Sequence, residues 1–181
     1  YDVQNGSVEV DGGNVKTLNP VSIRKHIGMV PQKAQLFKGT LRENMRWGRK
    51  NATDEEIYQA LEIAQAKEFV DSKDQGLDLM IEQNGSNLSG GQKQRLTIAR
   101  ALVKNPDILI LDEVLSVGDA KFRKKSEKKV LSMFDKGVTV LFVSHSLEQV
   151  QRLCNKAMIL EKGKLIAYGD IDEISAKYAE M

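Results

Sequence analysis

One segment constrains the fold more than any other. Residues 108–113 read Ile-Leu-Ile-Leu-Asp-Glu, so four consecutive apolar residues lead into two carboxylates. An apolar run of this length is typical of a strand that is buried on both faces of a parallel sheet. A second run, residues 138–143, precedes His145. Because helical patterns separate these runs, the sequence predicts an α/β fold with a mostly parallel sheet.

The two carboxylates Asp112 and Glu113 follow directly on the first apolar run. Open α/β sheets bind ligands at the carboxyl ends of their strands, so this position favours a functional site. An Asp there can hold Mg²⁺, directly or through water, and an adjacent carboxylate can polarise an attacking water. From these residues alone, an acidic strand end without a function is the alternative.

A glycine-rich loop precedes the first run, because residues 88–92 read Leu-Ser-Gly-Gly-Gln. Two glycines let the backbone approach a phosphate closely, and the helix predicted to follow directs its N-terminal N–H groups toward such an anion. Ser89 adds a hydroxyl donor. The alternative is a flexible loop with an ordinary helix cap.

Together these motifs resemble those of ATP-binding cassette (ABC) proteins. Residues 88–92 resemble the signature motif, residues 108–112 the Walker B strand, and Glu113 the catalytic carboxylate. Gln32, after Val-Pro, resembles the Q-loop glutamine, and His145 resembles the switch histidine. Residues 116–119, which end in Asp119, occupy the D-loop position. The motifs follow the family's order and cover the whole chain.

The resemblance implies a P-loop NTPase-like ABC ATPase fold and one nucleotide-binding domain over residues 1–181. It places a helical subdomain at about 33–90, and a catalytic α/β core at about 91–181 together with 1–32. Within the subdomain, the spacing of Thr53 and Glu56 predicts a capping box, and Ile57 and Leu61 begin a helical stripe. Near the start of the chain, residues 11–14 predict a turn.

The resemblance also implies ATP and Mg²⁺ as ligands and a role for each motif residue. Asp112 would organise Mg²⁺, and Glu113 would orient or deprotonate the attacking water. His145 would contact the γ-phosphate, and Gln32 would sense Mg²⁺ and the water. For His145 the alternative is a structural histidine at a strand end. For Gln32 it is a polar loop residue.

The family's head-to-tail pairing of two cassettes implies a partner site. In that arrangement Ser89, Gly90 and Gly91 serve ATP that is bound on the opposite subunit. The resemblance also implies Gln92 and Asp119 as ATP-binding residues. Transmembrane transporter domains are the second implied partner, and the cytoplasmic face of the cell membrane is the implied location. Trp47 is expected near the transmembrane contact or in internal packing.

The chain departs from the family pattern at one motif. The string Gly-x-x-x-x-Gly-Lys-Ser/Thr, whose N–H groups and Lys cradle phosphates, does not occur in the 181 residues. The chain begins at Tyr1 rather than Met, and residues 1–6 resemble the segment that follows this P-loop in the family. We therefore expect a cassette entered after its first motif, which by itself hydrolyses ATP poorly or not at all.

The two halves resemble different branches of the family. Residues 35–44 are similar to exporter-type cassettes, whereas residues 112–119 and 144–150 are similar to cassettes that export polysaccharide or teichoic acid. This predicts an engineered hybrid with a junction around the Walker B strand. A natural cassette with mixed traits is the alternative.

Three functions compete at this point: an exporter's ATPase domain, a DNA-repair or chromosome-structure cassette, and a non-enzymatic fragment. The 27 basic and 25 acidic residues leave a net charge of +2, which does not favour nucleic acid. The interval from Gln32 to Ser89 is also too short for the long coiled coil of repair cassettes. One Cys excludes an internal disulfide framework and a Cys-rich zinc site. No apolar run is long enough to cross a membrane.

Overall fold

The computed structural model describes residues 3, 5–114 and 137–181. The predicted D-loop, including Asp119, lies outside the described residues. In chain order the described elements are β1 (Glu9–Val10), β2 (Gly13–Asn14), α1 (Pro20–His26), β3 (Ile27–Val30), β4 (Gly39–Thr40), α2 (Leu41–Arg46), α3 (Asp54–Ile63), α4 (Lys67–Asp71), β5 (Met80–Ile81), α5 (Gly90–Val103), β6 (Ile108–Asp112), β7 (Thr139–Val143), α6 (Leu147–Leu153), β8 (Lys156–Glu161), β9 (Lys164–Asp170) and α7 (Ile171–Ala179).

The central sheet has the strand order β3-β6-β7, and both pairings are parallel. Ile27 pairs with Ile108 at one end of the sheet, and Asp112 pairs with Val143 at the other. The two apolar runs that the sequence identified are therefore neighbouring strands. The expected α/β fold with a parallel sheet is confirmed.

The two faces of this sheet differ in burial. Val30, Leu109 and Leu111 are at most 1% exposed and belong to the same apolar core as α5. Met29 and Val143, on the opposite face, are 57% and 52% exposed. Since successive side chains of a strand alternate between faces, one face is covered by α5 and the other is open in this chain.

Residues between the sheet strands β3 and β6 are mainly helical. Helices α2 and α3 each begin with a capping box, formed by Thr40 with Glu43 and by Thr53 with Glu56. The capping box predicted at Thr53 is therefore confirmed. The short strands β4 and β5 pair antiparallel and tie the start of α2 to residues 80–81. The subdomain boundaries at about 33 and 90 stay a prediction.

Removing the Thr53 hydroxyl tests the contribution of this capping box. We expect Thr53→Ala to lower the free energy of unfolding by about 1 kcal/mol, because the Glu56 N–H loses its acceptor. Urea denaturation followed by circular dichroism measures the change. Thr53→Ser keeps the hydroxyl and should stay within about 0.5 kcal/mol of the unsubstituted chain. Equal losses in both variants would contradict the role of the hydroxyl.

A buried asparagine fixes the loop that precedes α2. Asn44 is 1% exposed, and its Nδ2 donates to the Phe37 carbonyl at 2.9 Å and to the Thr40 carbonyl at 3.0 Å. Its Oδ1 accepts from the Phe37 N–H at 2.9 Å. Three hydrogen bonds from one side chain thus replace the sheet or helix partners that the loop backbone lacks.

The first few described residues correct one expectation. The turn predicted over residues 11–14 is shorter than expected. Gly13 and Asn14 form strand β2 and pair with Val10 and Glu9, so only two residues remain for the turn. Asp11 and Gly12 make the turn itself, both with positive φ values of 49° and 75°. A two-residue turn of this kind suits the twist of a hairpin better than a four-residue turn.

Buried apolar side chains are unevenly distributed over the described residues. The main apolar core draws all its buried members from residues 30–114. The C-terminal part contributes Leu153, Ile159 and Ile174, where hairpin β8–β9 packs on α7. None of the helices in the described ranges is both long and apolar enough to cross a lipid bilayer.

Candidate functional site

Three motifs that are distant in sequence meet at one edge of the central sheet. Strands β3, β6 and β7 run in the same direction, so their carboxyl ends lie side by side. Gln32 follows β3 after Pro31, Glu113 follows β6 directly, and His145 follows β7 after Ser144. We call Gln32, Glu113 and His145 the edge trio.

The Glu113 carboxylate lies between the other two members of the edge trio. Gln32 Nε2 donates a hydrogen bond to Glu113 Oε2 at 2.8 Å. His145 Nε2 lies 2.7 Å from Glu113 Oε1. The Glu113 side chain is 23% exposed, whereas the His145 side chain is 89% exposed. Asp112, Glu113 and His145, which end or follow the two apolar runs of the sequence, thus lie at one edge of the sheet.

Glu113 leaves the extended geometry of β6. Its φ of 51° lies in the left-handed region, which is uncommon for a residue with a side chain. Its N–H still donates to the Val143 carbonyl at 2.9 Å, one step beyond the β6–β7 ladder. Backbone strain of this kind persists where the surroundings hold it, and it is concentrated at functional sites. Asp112 therefore keeps the extended geometry of β6, and Glu113 is the first residue to leave it.

The donor set at this edge fits Mg²⁺. Asp112 ends β6 and Glu113 follows it, so two successive carboxylates stand at this edge, and that of Glu113 contacts the Gln32 amide. Within the described residues no three His, Cys, Asp or Glu side chains gather into a metal-binding group. Mg²⁺ is usually bound through one or two carboxylates together with water and substrate phosphates, rather than by an all-protein cage. The residues present match that partial shell.

The signature residues form the start of α5. Ser89 Oγ accepts from the Gln92 N–H at 3.2 Å, and the Ser89 N–H donates to Gln92 Oε1 at 2.9 Å. The Gln92 side chain is thus engaged in a capping box in this structure. A methyl group built on Gly90 or Gly91 would find no atom within 4 Å. Within the described residues no contact requires glycine there, and the helix N-terminus is open to an approaching group.

The signature residues share no side-chain hydrogen bond with the edge trio in the part of the chain that the structure describes. The side-chain hydrogen bonds of Ser89 and Gln92 run to each other and not to Gln32, Glu113 or His145. Helix α5 is about 20 Å long and leads to the start of β6. The predicted site residues therefore form two sets that are not hydrogen-bonded to each other.

An exposed aromatic pair lies in the loop region after Gln32. The rings of Phe37 and Trp47 are 4.7 Å apart, and the two residues are 45% and 69% exposed. The Arg100 guanidinium lies 5.6 Å from the Phe37 ring centre, and its Nη2 donates to the Gln35 carbonyl at 2.8 Å. Burial lowers the pKa of Arg100 below its usual value. Sequence reasoning named Trp47 but did not identify Arg100 as a neighbour of its partner ring, Phe37.

Sequence reasoning also missed the hydrogen bonds that surround His145. Ser144, Ser146 and Gln149 are linked to one another on both sides of the histidine. The spacing of Ser146 and Gln149 matches a capping box and could have indicated where α6 begins. Only half of that box forms, since Ser146 Oγ accepts from the Gln149 N–H while the Gln149 side chain contacts Ser144.

The sequence model of the ABC transporter family matches residues 1–116. The chain belongs to the ABC transporter family. It is 40% identical over 177 residues to ABC transporter B family member 4 of Dictyostelium discoideum, covering 96% of this chain and 22% of that protein. It is 41% identical over 187 residues to a beta-(1→2)glucan export ATP-binding/permease protein of Rhodopseudomonas palustris, covering 100% of this chain and 30% of that protein.

A solved structure supports the same assignment. The chain matches a bacterial Atm1-family ABC exporter, determined with ATP bound, with a TM-score of 0.91 and 31% identity. The match covers 99% of this chain and 32% of that exporter. This ABC domain therefore has the fold of an exporter's ATPase domain, and it spans less than a third of these relatives. Its hybrid origin stays a prediction.

Proposed function

We propose that this chain forms the catalytic part of an ATP-hydrolysing domain that drives export across a membrane. One observation carries the proposal: the Glu113 carboxylate is held between Gln32 and His145 at the carboxyl edge of the parallel sheet. The similarity of the whole chain to export proteins supports it. We further propose that the 181 residues act as a single domain, with residues 33–90 as its helical subdomain.

Glu113 is the residue that we assign to the attacking water. A carboxylate that accepts hydrogen bonds from two fixed partners has a defined orientation, which positions its remaining lone pairs. The water that attacks a γ-phosphate must be oriented and must lose a proton, and a carboxylate can serve both needs. Both Glu113 oxygens have protein partners in this structure. To bind the attacking water, Glu113 would give up its contact with Gln32 or with His145.

His145 and Gln32 can interact with the substrate as well as with Glu113. The His145 ring is 89% exposed and therefore accessible to a phosphate oxygen, to which its N–H can donate. The Gln32 amide donates to Glu113 through Nε2, which leaves its oxygen as an acceptor or ligand. We assign His145 to the γ-phosphate and Gln32 to Mg²⁺ and the water.

Asp112 and Gln32 are the residues that would hold Mg²⁺. Bound Mg²⁺ bridges phosphate oxygens and neutralises the charge that develops on them during transfer. Asp112 contributes its carboxylate from the last position of β6, where the register with Val143 fixes its backbone. The rest of the ion's shell would come from water and from ATP, the substrate.

The N-terminus of α5 is the second ATP-binding element of the proposal. Its first-turn N–H groups and the Ser89 hydroxyl can donate to phosphate oxygens. The open space around Gly90 and Gly91 supports a close approach by a ligand. No side-chain hydrogen bond joins Ser89 or Gln92 to the edge trio among the described residues. We therefore propose that Ser89, Gly90 and Gly91 serve ATP held by a second nucleotide-binding domain. We also assign Gln92 and Asp119 to ATP binding.

The pair Phe37–Trp47 is our proposed contact with the transmembrane domains. Exposed aromatic rings beside an arginine are typical of the centre of a protein interface. Arg100 Nη1 is buried and has no hydrogen-bond partner among the residues that the structure describes, so a carbonyl or carboxylate of another protein would satisfy it. We further propose, from the family resemblance, that the domain lies at the cytoplasmic face of the membrane.

Replacing the matched segment of the Atm1-family exporter with these 181 residues tests the proposal. We expect the hybrid exporter to hydrolyse ATP well above background, because the edge trio then meets a complete phosphate site. The 181-residue chain alone should remain at background, since no Gly-x-x-x-x-Gly-Lys-Ser/Thr string fixes the β- and γ-phosphates. Phosphate release measures both.

Two outcomes would contradict the proposal. A folded, membrane-inserted hybrid with no more turnover than the chain alone would show that these residues do not supply the catalytic half. Robust turnover by the purified chain would show that it holds a phosphate site of another kind. The non-enzymatic fragment remains the second candidate, and it predicts background turnover in both proteins.

A further inference from the structure

The switch histidine of this chain is held by its backbone rather than by packing around its ring. His145 is 89% exposed, so few atoms surround its side chain. Nonetheless its Nε2 lies 2.7 Å from Glu113 Oε1. Because little packing holds the ring, the position of the turn that carries His145 decides whether Nε2 stays within reach of Glu113.

Three hydrogen bonds fix that turn. Ser144 Oγ donates to Gln149 Oε1 at 3.2 Å, and the Ser146 N–H donates to Ser144 Oγ at 3.0 Å. The Gln149 N–H donates to Ser146 Oγ at 3.4 Å. The three bonds connect the residues on both sides of His145 into a closed network. We call this network the serine–glutamine ring. Its members are Ser144, Ser146 and Gln149.

Gln149 anchors the serine–glutamine ring to the rest of the fold. It is 9% exposed, so water competes little for its hydrogen bonds. It lies in α6, a helix of seven residues that is too short to be stable alone. Leu153 of α6 is 5% exposed, and α6 packs against α7. The position of Gln149 is therefore set by the C-terminal helices.

We propose that Gln149 is a positioning residue for His145. Its carboxamide oxygen fixes Ser144, and the two serines then hold the turn that directs His145 Nε2 toward Glu113. Gln149 does not touch the substrate in this proposal and acts only through the serines. An effect of Gln149 on catalysis rests on the proposed function of His145. The claim that Gln149 holds the turn of His145 does not depend on that function.

Nuclear magnetic resonance of the 181-residue chain tests the geometric claim. The sequence has two histidines, His26 and His145, so the ring signals are few and His26 serves as an internal reference. In Gln149→Met, a variant of similar length without the acceptor oxygen, we expect the backbone order parameter at His145 to fall from about 0.85 to below about 0.6. The ring contact with Glu113 should disappear from the Overhauser spectrum, and His26 should not change.

A second pair of variants keeps the test decisive if Gln149→Met does not fold. Ser144→Ala removes the donor to Gln149 and the acceptor for the Ser146 N–H without altering α6. It should reproduce the disorder at His145, and Ser144→Thr, which keeps the hydroxyl, should restore the order. Unchanged order and an unchanged Glu113 contact in Gln149→Met or Ser144→Ala would overturn the proposal.

Kinetics in the hybrid exporter separate this inference from the proposed function. There Gln149→Met should lower kcat about tenfold or more with little change in KM, because misplacing one catalytic group affects the transition state more than binding. Disorder at His145 with full kcat would leave the positioning role intact and refute the catalytic role of His145. A fall in kcat with His145 still ordered would overturn the positioning role.

Discussion

Glu113→Gln in the hybrid exporter is expected to reduce ATP turnover by roughly 10²–10⁴-fold, the contribution typical of a positioned general base. The amide keeps the size of the side chain and can still accept at Oε1. It cannot take a proton from water, and its NH₂ group would replace one of the two oxygens that contact Gln32 and His145. Both effects act on the chemical step, so kcat should fall while ATP binding persists.

The control is Glu161→Gln, which removes an exposed carboxylate at the end of β8. It should leave turnover unchanged, because Glu161 is not at the carboxyl edge of the central sheet. Steady-state phosphate release and equilibrium binding of ATP distinguish the two variants. A Glu113→Gln hybrid that retains more than about a tenth of the turnover would show that Glu113 is not the general base.

The second large effect concerns stability. Asn44→Ala is expected to lower the free energy of unfolding by about 2–4 kcal/mol, because it leaves the Phe37 N–H and two loop carbonyls without their partner. The Asn44 side chain is 1% exposed, so water replaces these bonds only after the loop opens. Urea unfolding monitored by far-UV circular dichroism gives the value.

Asn51→Ala is the matched control for Asn44. Asn51 lies on the surface after α2, and its substitution should change stability by less than about 0.5 kcal/mol. Because Asn44 also fixes Phe37, Trp47 fluorescence should report a loosened aromatic pair in Asn44→Ala alone. Equal stability of the two variants would show that the three hydrogen bonds contribute little.

Local patterns predicted much of the fold. The apolar runs gave strands β6 and β7, and the Thr53–Glu56 spacing gave the start of α3. Both depend on residues within one or two turns of chain, where the physics of burial and capping acts directly. The parallel pairing of β6 and β7 then brought Glu113 close to His145 without further information.

Contacts between residues that are distant in sequence could not be predicted from local patterns. Arg100 beside Phe37, and Asn44 beside the loop before α2, are ordinary polar residues in sequence. Their roles arise only when tertiary packing removes water from them and leaves a specific set of partners. Gln149 belongs to the same class, since its partner Ser144 is identified by the turn geometry and not by composition.

The uneven core determines how firmly each strand that leads to the edge trio is anchored. Strand β6, which leads to Glu113, places Leu109 and Leu111 in the main core at 1% exposure. Strand β7, which leads to His145, packs only the partly buried Val140 and Phe142 against the same core. Segments with little buried surface open at lower free energy than segments with much. The turn that carries His145 therefore depends on its own hydrogen bonds more than the position of Glu113 does.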